Sequence, residues 1–210
     1  MIAVLDYGIG NLRSAQKALE KVGADARLTA ARDVVASADG VVLPGVGAFG
    51  RCMEALRESD LEGPARDAID AGVPFLGICV GMQMLYEGSE EDPGPPGMGV
   101  LGGKFRRLPE GVKRPQMQWN RLDRAGDSPM FAGFGDPTWV YFVHSFAPEP
   151  TAEVVATCEY GGPVVAAVQR GNLWATQFHP EKSGAAGLRL LANFAAVAST
   201  AAPAPAGTPG

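Results

Sequence analysis

Residues Gly77-Ile78-Cys79-Val80-Gly81 place one of the chain's three cysteines between two glycines. A thiol in that setting can act as a nucleophile. G-x-C-x-G is the serine elbow G-x-S-x-G with cysteine at its centre, and its glycines leave room for a sharp strand-to-helix turn. The surrounding "PFLGICVGMQ" supplies such a turn, an apolar run giving way to a helical pattern. Cys79 then stands at the start of a helix beginning near Val80, where free N–H groups and the helix dipole favour a thiolate. In isolation the pattern also fits a small cysteine packed at a strand end. Cys52 and Cys158 lack the flanking glycines and read as packing.

A nucleophilic thiol needs a base, and the chain has two histidines. His179 stands in "WATQFHPEKS", just after a strand-like run and two residues before Glu181. Those types fit a Cys–His–Glu triad: the imidazole takes the thiol proton and later protonates the leaving group, while the carboxylate orients the ring. Cys79 and His179 lie far apart in sequence, so only the fold can bring them together. His144, in "YFVHSF", competes as base without a nearby carboxylate, and it also fits a hydrogen-bonded core histidine. Gly45 and Gly47, in "LPGVGAFG", can present backbone N–H groups to a developing oxyanion.

The elements that must position these groups follow from hydrophobic pattern. "IAVLD", "GVVLPG" and "VPFLGI" are short apolar runs of the kind found in strands buried on both faces. Helical patterns separate them; in "LRSAQKALEKV", Leu12, Ala15, Leu19 and Val22 share one face. The alternation predicts an α/β fold with an open, mostly parallel sheet flanked by helices. Nucleophile, base and glycine turn can all be placed at carboxyl ends of strands, where open α/β sheets build their sites. After the loop-like "EEDPGPPGMG", closely spaced strand patterns predict an additional antiparallel portion. Ser183 is expected to cap a last helix whose Leu188, Leu191 and Phe194 face inward. Residues 1–198 read as a single domain, and the Ala/Pro/Gly-rich 199–210 as a disordered tail.

Composition bounds the function. A net charge of −5 argues against a general nucleic-acid binder. Arg13 takes the place of the third glycine of a dinucleotide fingerprint begun by Gly8 and Gly10, and no P-loop or metal-ligand spacing occurs. No apolar run approaches the roughly 20 residues of a membrane span. The opening "MIAVLDYGIG" reads as a strand without a secretory leader, and the expectation is a reduced, cytoplasmic protein.

Together and in this order, "PGVGAFG", "GICVGMQ", "YFVHSF" and "WATQFHPEKSG" resemble the class I glutamine amidotransferases. With "DYGIGNLRS" they are most similar to the glutaminase subunits of imidazole glycerol phosphate synthase, and the likeness covers residues 1 to about 198. It implies glutamine hydrolysis through a cysteine thioester, with Cys79, His179 and Glu181 as triad and no cofactor or metal. It further implies an oxyanion hole from Val80 and the Val46–Gly47 turn, whose peptide reorients for full activity. Gly45, Gly47, Gln83, Ser145 and Phe146 fall at glutamine-binding positions. The implied partner is a (β/α)8-barrel cyclase subunit that uses the ammonia in histidine biosynthesis, docked near Asn11, Trp119, Asn120 and Lys182. Three positions depart from the pattern: Phe146 replaces a common tyrosine, Gln116 a histidine and Gln118 a glycine. Open alternatives are an amidotransferase serving pyridoxal phosphate, anthranilate or GMP synthesis, an inactive scaffolding subunit, and an unrelated cysteine hydrolase using His144.

Overall fold

A computed structural model describes residues 1–200. The first half alternates strand and helix: β1 (Ile2–Leu5), α1 (Leu12–Lys21), β2 (Ala26–Thr29), α2 (Arg32–Ala36), β3 (Gly40–Gly45), α3 (Phe49–Glu58), α4 (Glu62–Asp70), β4 (Phe75–Cys79) and α5 (Val80–Met84). β1, β3 and β4 are buried at every position, as strands covered on both faces must be. α1 turns Leu12, Ala15, Ala18 and Leu19 into the core, while Val22 lies just past its end and is only partly buried.

The second half is richer in strands: β5 (Gly88–Ser89), β6 (Lys104–Arg107), β7 (Gln116–Arg121), β8 (Asp123–Arg124), β9 (Trp139–His144), β10 (Phe146–Pro148), β11 (Val154–Glu159), β12 (Pro163–Arg170) and β13 (Leu173–Thr176), before α6 (Gly184–Thr200). The main sheet has the order β2-β1-β3-β4-β13-β12-β11-β8. From β2 to β13 neighbours run parallel; from β13 to β8 they run antiparallel. The expected antiparallel portion thus extends the main sheet, and the second half also forms two small sheets, a mixed β10-β6-β5 and an antiparallel β7-β9.

One pairing decides where the chemistry can be. β13 inserts beside β4 in parallel, Ala175 opposite Gly77 and Thr176 opposite Ile78. Residues just beyond β13 therefore emerge beside Cys79, and the long sequence separation disappears.

Two details of the last helix differ from expectation. Leu190, Leu191 and Phe194 are its buried large residues, whereas Leu188 is only partly covered. Ser183 precedes the helix, and its carbonyl accepts from Gly187 N–H, but its hydroxyl donates to the His179 carbonyl (2.6 Å) and accepts from Tyr141 N–H (3.0 Å). That hydroxyl clamps β9 to the His179 segment instead of capping α6. The helix includes Ser199 and Thr200, and the rest of the expected tail lies outside the described residues. Among the described residues no helix is long and apolar enough to cross a membrane.

Candidate active site

Cys79 is the last residue of β4 and the N-cap of α5, at φ 55° and ψ −110°. A non-glycine residue rarely adopts positive φ, and strain of this kind costs about 1–3 kcal/mol, held in place by surrounding structure. The flanking glycines make that surrounding possible. A Cβ on Gly81 would run into the Leu43 carbonyl of β3, and one on Gly77 would lie 3.0 Å from the Gly81 carbonyl and from Leu85. The glycines thus serve the packing of α5 against the sheet, not clearance around the thiol itself.

His179 follows β13, and its Nδ1 lies 2.7 Å from Glu181 Oε1, both side chains being 4% exposed. This leaves Nε2 as the ring nitrogen available to the thiol. Burial works against a charge on His179, but hydrogen bonds and charge at Cys79 and Glu181 outweigh it and hold its proton affinity well above the ordinary value. Glu181 Oε2 is buried with no partner among the described residues, so the carboxylate's charge is spent on the imidazole.

Cys79 and His179 line a cavity of about 420 Å³ together with Val46, Gly47, Val80, Gln83, Ser145 and Phe146. Gly45 lies beneath it, paired with Cys79 in the β3–β4 register. Every predicted triad, oxyanion and glutamine-binding position therefore converges on one place. Three further residues belong to it. Gln177, wholly buried, points Nε2 at the Cys79 sulfur (3.6 Å) and accepts from Gln83 Nε2 (3.4 Å). Glu91 lines the cavity and accepts the Phe49 N–H at 2.8 Å. Val143 lines it as well, and its carbonyl lies 3.9 Å from the thiol. Glu91 sits in a stretch whose composition reads only as loop; Gln177 lies within "ATQFHPE", and its place two residues before His179 was the available signal.

His144 also lines the cavity, but both its nitrogens are engaged. Nδ1 is 2.8 Å from the Phe146 carbonyl and Nε2 2.8 Å from the Gln116 carboxamide oxygen. Two acceptors would demand an imidazolium, whereas burial pushes this ring down to about 4. A half-turn of the Gln116 amide presents its NH2 to Nε2 and satisfies a neutral ring. Gln116, where the resemblance expects histidine, is thus a buried support for His144. Phe146 is buried with the Arg107 guanidinium 5.8 Å above its ring. Gln118 is exposed on β7.

Asn11 and Lys182 also line the cavity, Asn11 half-buried and Lys182 exposed. Trp119 is 48% exposed and packs at 6.0 Å from the Tyr141 ring. Asn120, its strand neighbour, points to the opposite face and donates to the Glu159 carbonyl at 2.9 Å, so the two side chains do not share a surface.

A parallel sheet carrying a cysteine elbow and a His–Glu pair at adjoining strand ends is the arrangement of a class of amide hydrolases, and similarity agrees. Residues 3–198 match the family model described as "Glutamine amidotransferase class-I", and the chain belongs to that family. It is 50% identical to the imidazole glycerol phosphate synthase subunit HisH of Deinococcus radiodurans, over 92% of each chain. It is 48% identical to the protein of the same name from Salinibacter ruber, covering 95% of this chain and 96% of that one. Among solved structures, a crystal structure of a glutamine amidotransferase matches with TM-score 0.75 at 23% identity, over 95% of this chain and 99% of the other. PurLQS from Thermotoga maritima matches with TM-score 0.74 at 23% identity, over 92% and 96%. These two likenesses speak to the fold alone.

Proposed function

We propose that the chain is the glutaminase subunit of an imidazole glycerol phosphate synthase, hydrolysing glutamine and delivering ammonia to a (β/α)8-barrel cyclase subunit. The observation that carries the reading is the meeting of Cys79 with the His179–Glu181 pair at the ends of neighbouring parallel strands. The names of the relatives support the pathway assignment.

In this reading the proton rests on His179, and the Cys79 thiolate attacks the side-chain carboxamide carbon of glutamine. The N–H groups of Val80 and of the Val46–Gly47 turn receive the oxyanion. His179 returns its proton to the departing nitrogen, which leaves as ammonia, and a γ-glutamyl thioester remains. Neutral His179 then takes a proton from water as the oxygen attacks, and collapse releases glutamate and the thiolate. Gln83, whose Oε1 is buried without a partner among the described residues, and the Glu91 carboxylate offer acceptors to the substrate's ammonium. Backbone of Ser145 and Phe146 contributes the facing wall. No step calls for a cofactor or a metal.

The cyclase would dock over the cavity mouth, on Asn11, Lys182 and the face of β7–β9 that exposes Met117, Trp119 and Trp139. Asn120 would support that face from behind. The cyclase converts PRFAR to imidazole glycerol phosphate and AICAR, a reaction placed in the cytoplasm. The test is glutamate release by the chain alone, then with the cyclase subunit and PRFAR. Low release that rises sharply with both is the expected result. Strong release indifferent to the partner would overturn the pathway, and no release from folded, partner-bound protein would leave a scaffold.

A further inference from the structure

The glycine turn beside Cys79 is tied down by two buried residues that do not line the cavity. Tyr7, two residues beyond β1, donates its hydroxyl to the Pro44 carbonyl at 2.6 Å. Cys52, on α3 and fully buried, donates its thiol to the Val46 carbonyl at 3.4 Å. Burial pushes the Cys52 thiol up to about 11 and raises Tyr7 too, so both remain protonated donors at neutral pH. The two carbonyls flank the Gly45–Val46 peptide on either side. Space around it is tight: a Cβ on Gly45 would lie 2.8 Å from Gly81 N, 2.9 Å from Val80 Cβ and 3.0 Å from the Tyr7 hydroxyl.

Peptide planarity turns these anchors into aim. In a trans peptide the N–H points opposite to the C=O. Both flanking peptides are trans. Holding the Val46 oxygen against a buried thiol therefore directs the Gly47 N–H away from the core, and Gly47 lines the cavity. Holding the Pro44 oxygen fixes the Gly45 end in the same way. We propose that Tyr7 and Cys52 are positioning residues of the glycine turn: the Cys52 bond to the Val46 carbonyl aims the Gly47 N–H at the oxyanion formed on glutamine, and the Tyr7 bond to the Pro44 carbonyl fixes the strand end from which the turn leaves. The proposal rests on the glutaminase reading.

The experiment compares wild type, Cys52→Ala, Cys52→Ser and Tyr7→Phe, each in complex with the cyclase subunit and PRFAR. It reads kcat and KM for glutamate release and, separately, the rate at which iodoacetamide alkylates Cys79. Alkylation is displacement at a saturated carbon and forms no oxyanion, so it reports thiol reactivity without the turn. Deleting a whole oxyanion donor costs about 10²–10³ in kcat, and a misaimed one should cost less. Cys52→Ala and Tyr7→Phe are each expected to lower kcat about tenfold with KM within about twofold and alkylation unchanged. Cys52→Ser, which keeps a donor, should recover most of the loss. Turnover and alkylation falling together would assign both residues to general packing and overturn the proposal, as would an unchanged kcat in both deletions. A wild-type complex that is alkylated yet releases no glutamate would instead sink the glutaminase reading, and the proposal with it.

Discussion

Two connections line the same cavity, and each carries one buried histidine. The link from β13 to α6 brings His179, 3% exposed; the turn from β9 into β10 brings His144, the last residue of β9 and 5% exposed. Burial disfavours the charged form of both rings. His179 nonetheless gains proton affinity, because hydrogen bonds and negative charge at Cys79 and Glu181 favour the imidazolium. His144 meets a carbonyl and a carboxamide, neither charged, and burial lowers it to about 4 with the nearby His179 adding to the effect. Depth in the protein is therefore a poor guide to which histidine serves as base. The charge of the groups its ring nitrogens meet decides.

The widest separation between the two regions should appear in catalysis. His179→Ala removes the base and proton donor, and glutamate release in the activated complex should fall about 10⁴-fold or more. His144→Asn keeps a donor for the Phe146 carbonyl and should cost less than about tenfold. Steady-state glutamate release from both variants checks this. Comparable losses would mean that the rings share the proton chemistry.

How much of this could be seen beforehand follows the locality of each signal. β1, β3 and β4 were legible because strands buried on both faces leave continuous apolar runs. The elbow was legible because its glycines adjoin Cys79 in sequence. The adjacency of β13 to β4 was not, since it depends on a sheet order that no local pattern encodes; residue types offered His179 as partner of Cys79 with His144 as competitor, and the resemblance chose between them. Ser183 misled for a related reason. Its place before α6 fits a cap, but a tertiary neighbour, Tyr141, competes for its hydroxyl. The role of Gln116 likewise depends on β7 lying against β9, where it meets His144 in register.

The same contrast should tilt stability with pH in opposite directions. His144 titrates near 6.5 when unfolded and at about 4 when folded, so the unfolded state binds the extra proton between those values. Its contribution is complete above pH 6.5 and lost as pH falls toward 4, up to about 3 kcal/mol over that window. His179 has the opposite sign: its raised folded affinity stabilises fully below the unfolded value, and that stability is lost as pH rises through the folded one. Urea midpoints at pH 7, 5.5 and 4.5 should fall more steeply for wild type than for His144→Asn. Parallel slopes would show that His144 is not held neutral by the fold.

The smallest effect expected is at Phe146, which shares its strand with the carbonyl that holds His144. Its ring already has a face-on neighbour in Arg107, and it is 8% exposed at the cavity wall. A tyrosine there keeps the ring beneath the guanidinium. The substrate contacts proposed for this segment come from backbone, and His144 holds that backbone through the Phe146 carbonyl whatever the side chain. Phe146→Tyr should therefore shift the KM for glutamine by less than about threefold and stability by about 0.5 kcal/mol or less. Glutamine titrations of the activated complex, with urea midpoints alongside, measure both. A tenfold drop in KM would show that the hydroxyl reaches the substrate, making this wall of the cavity a side-chain site as well as a backbone one.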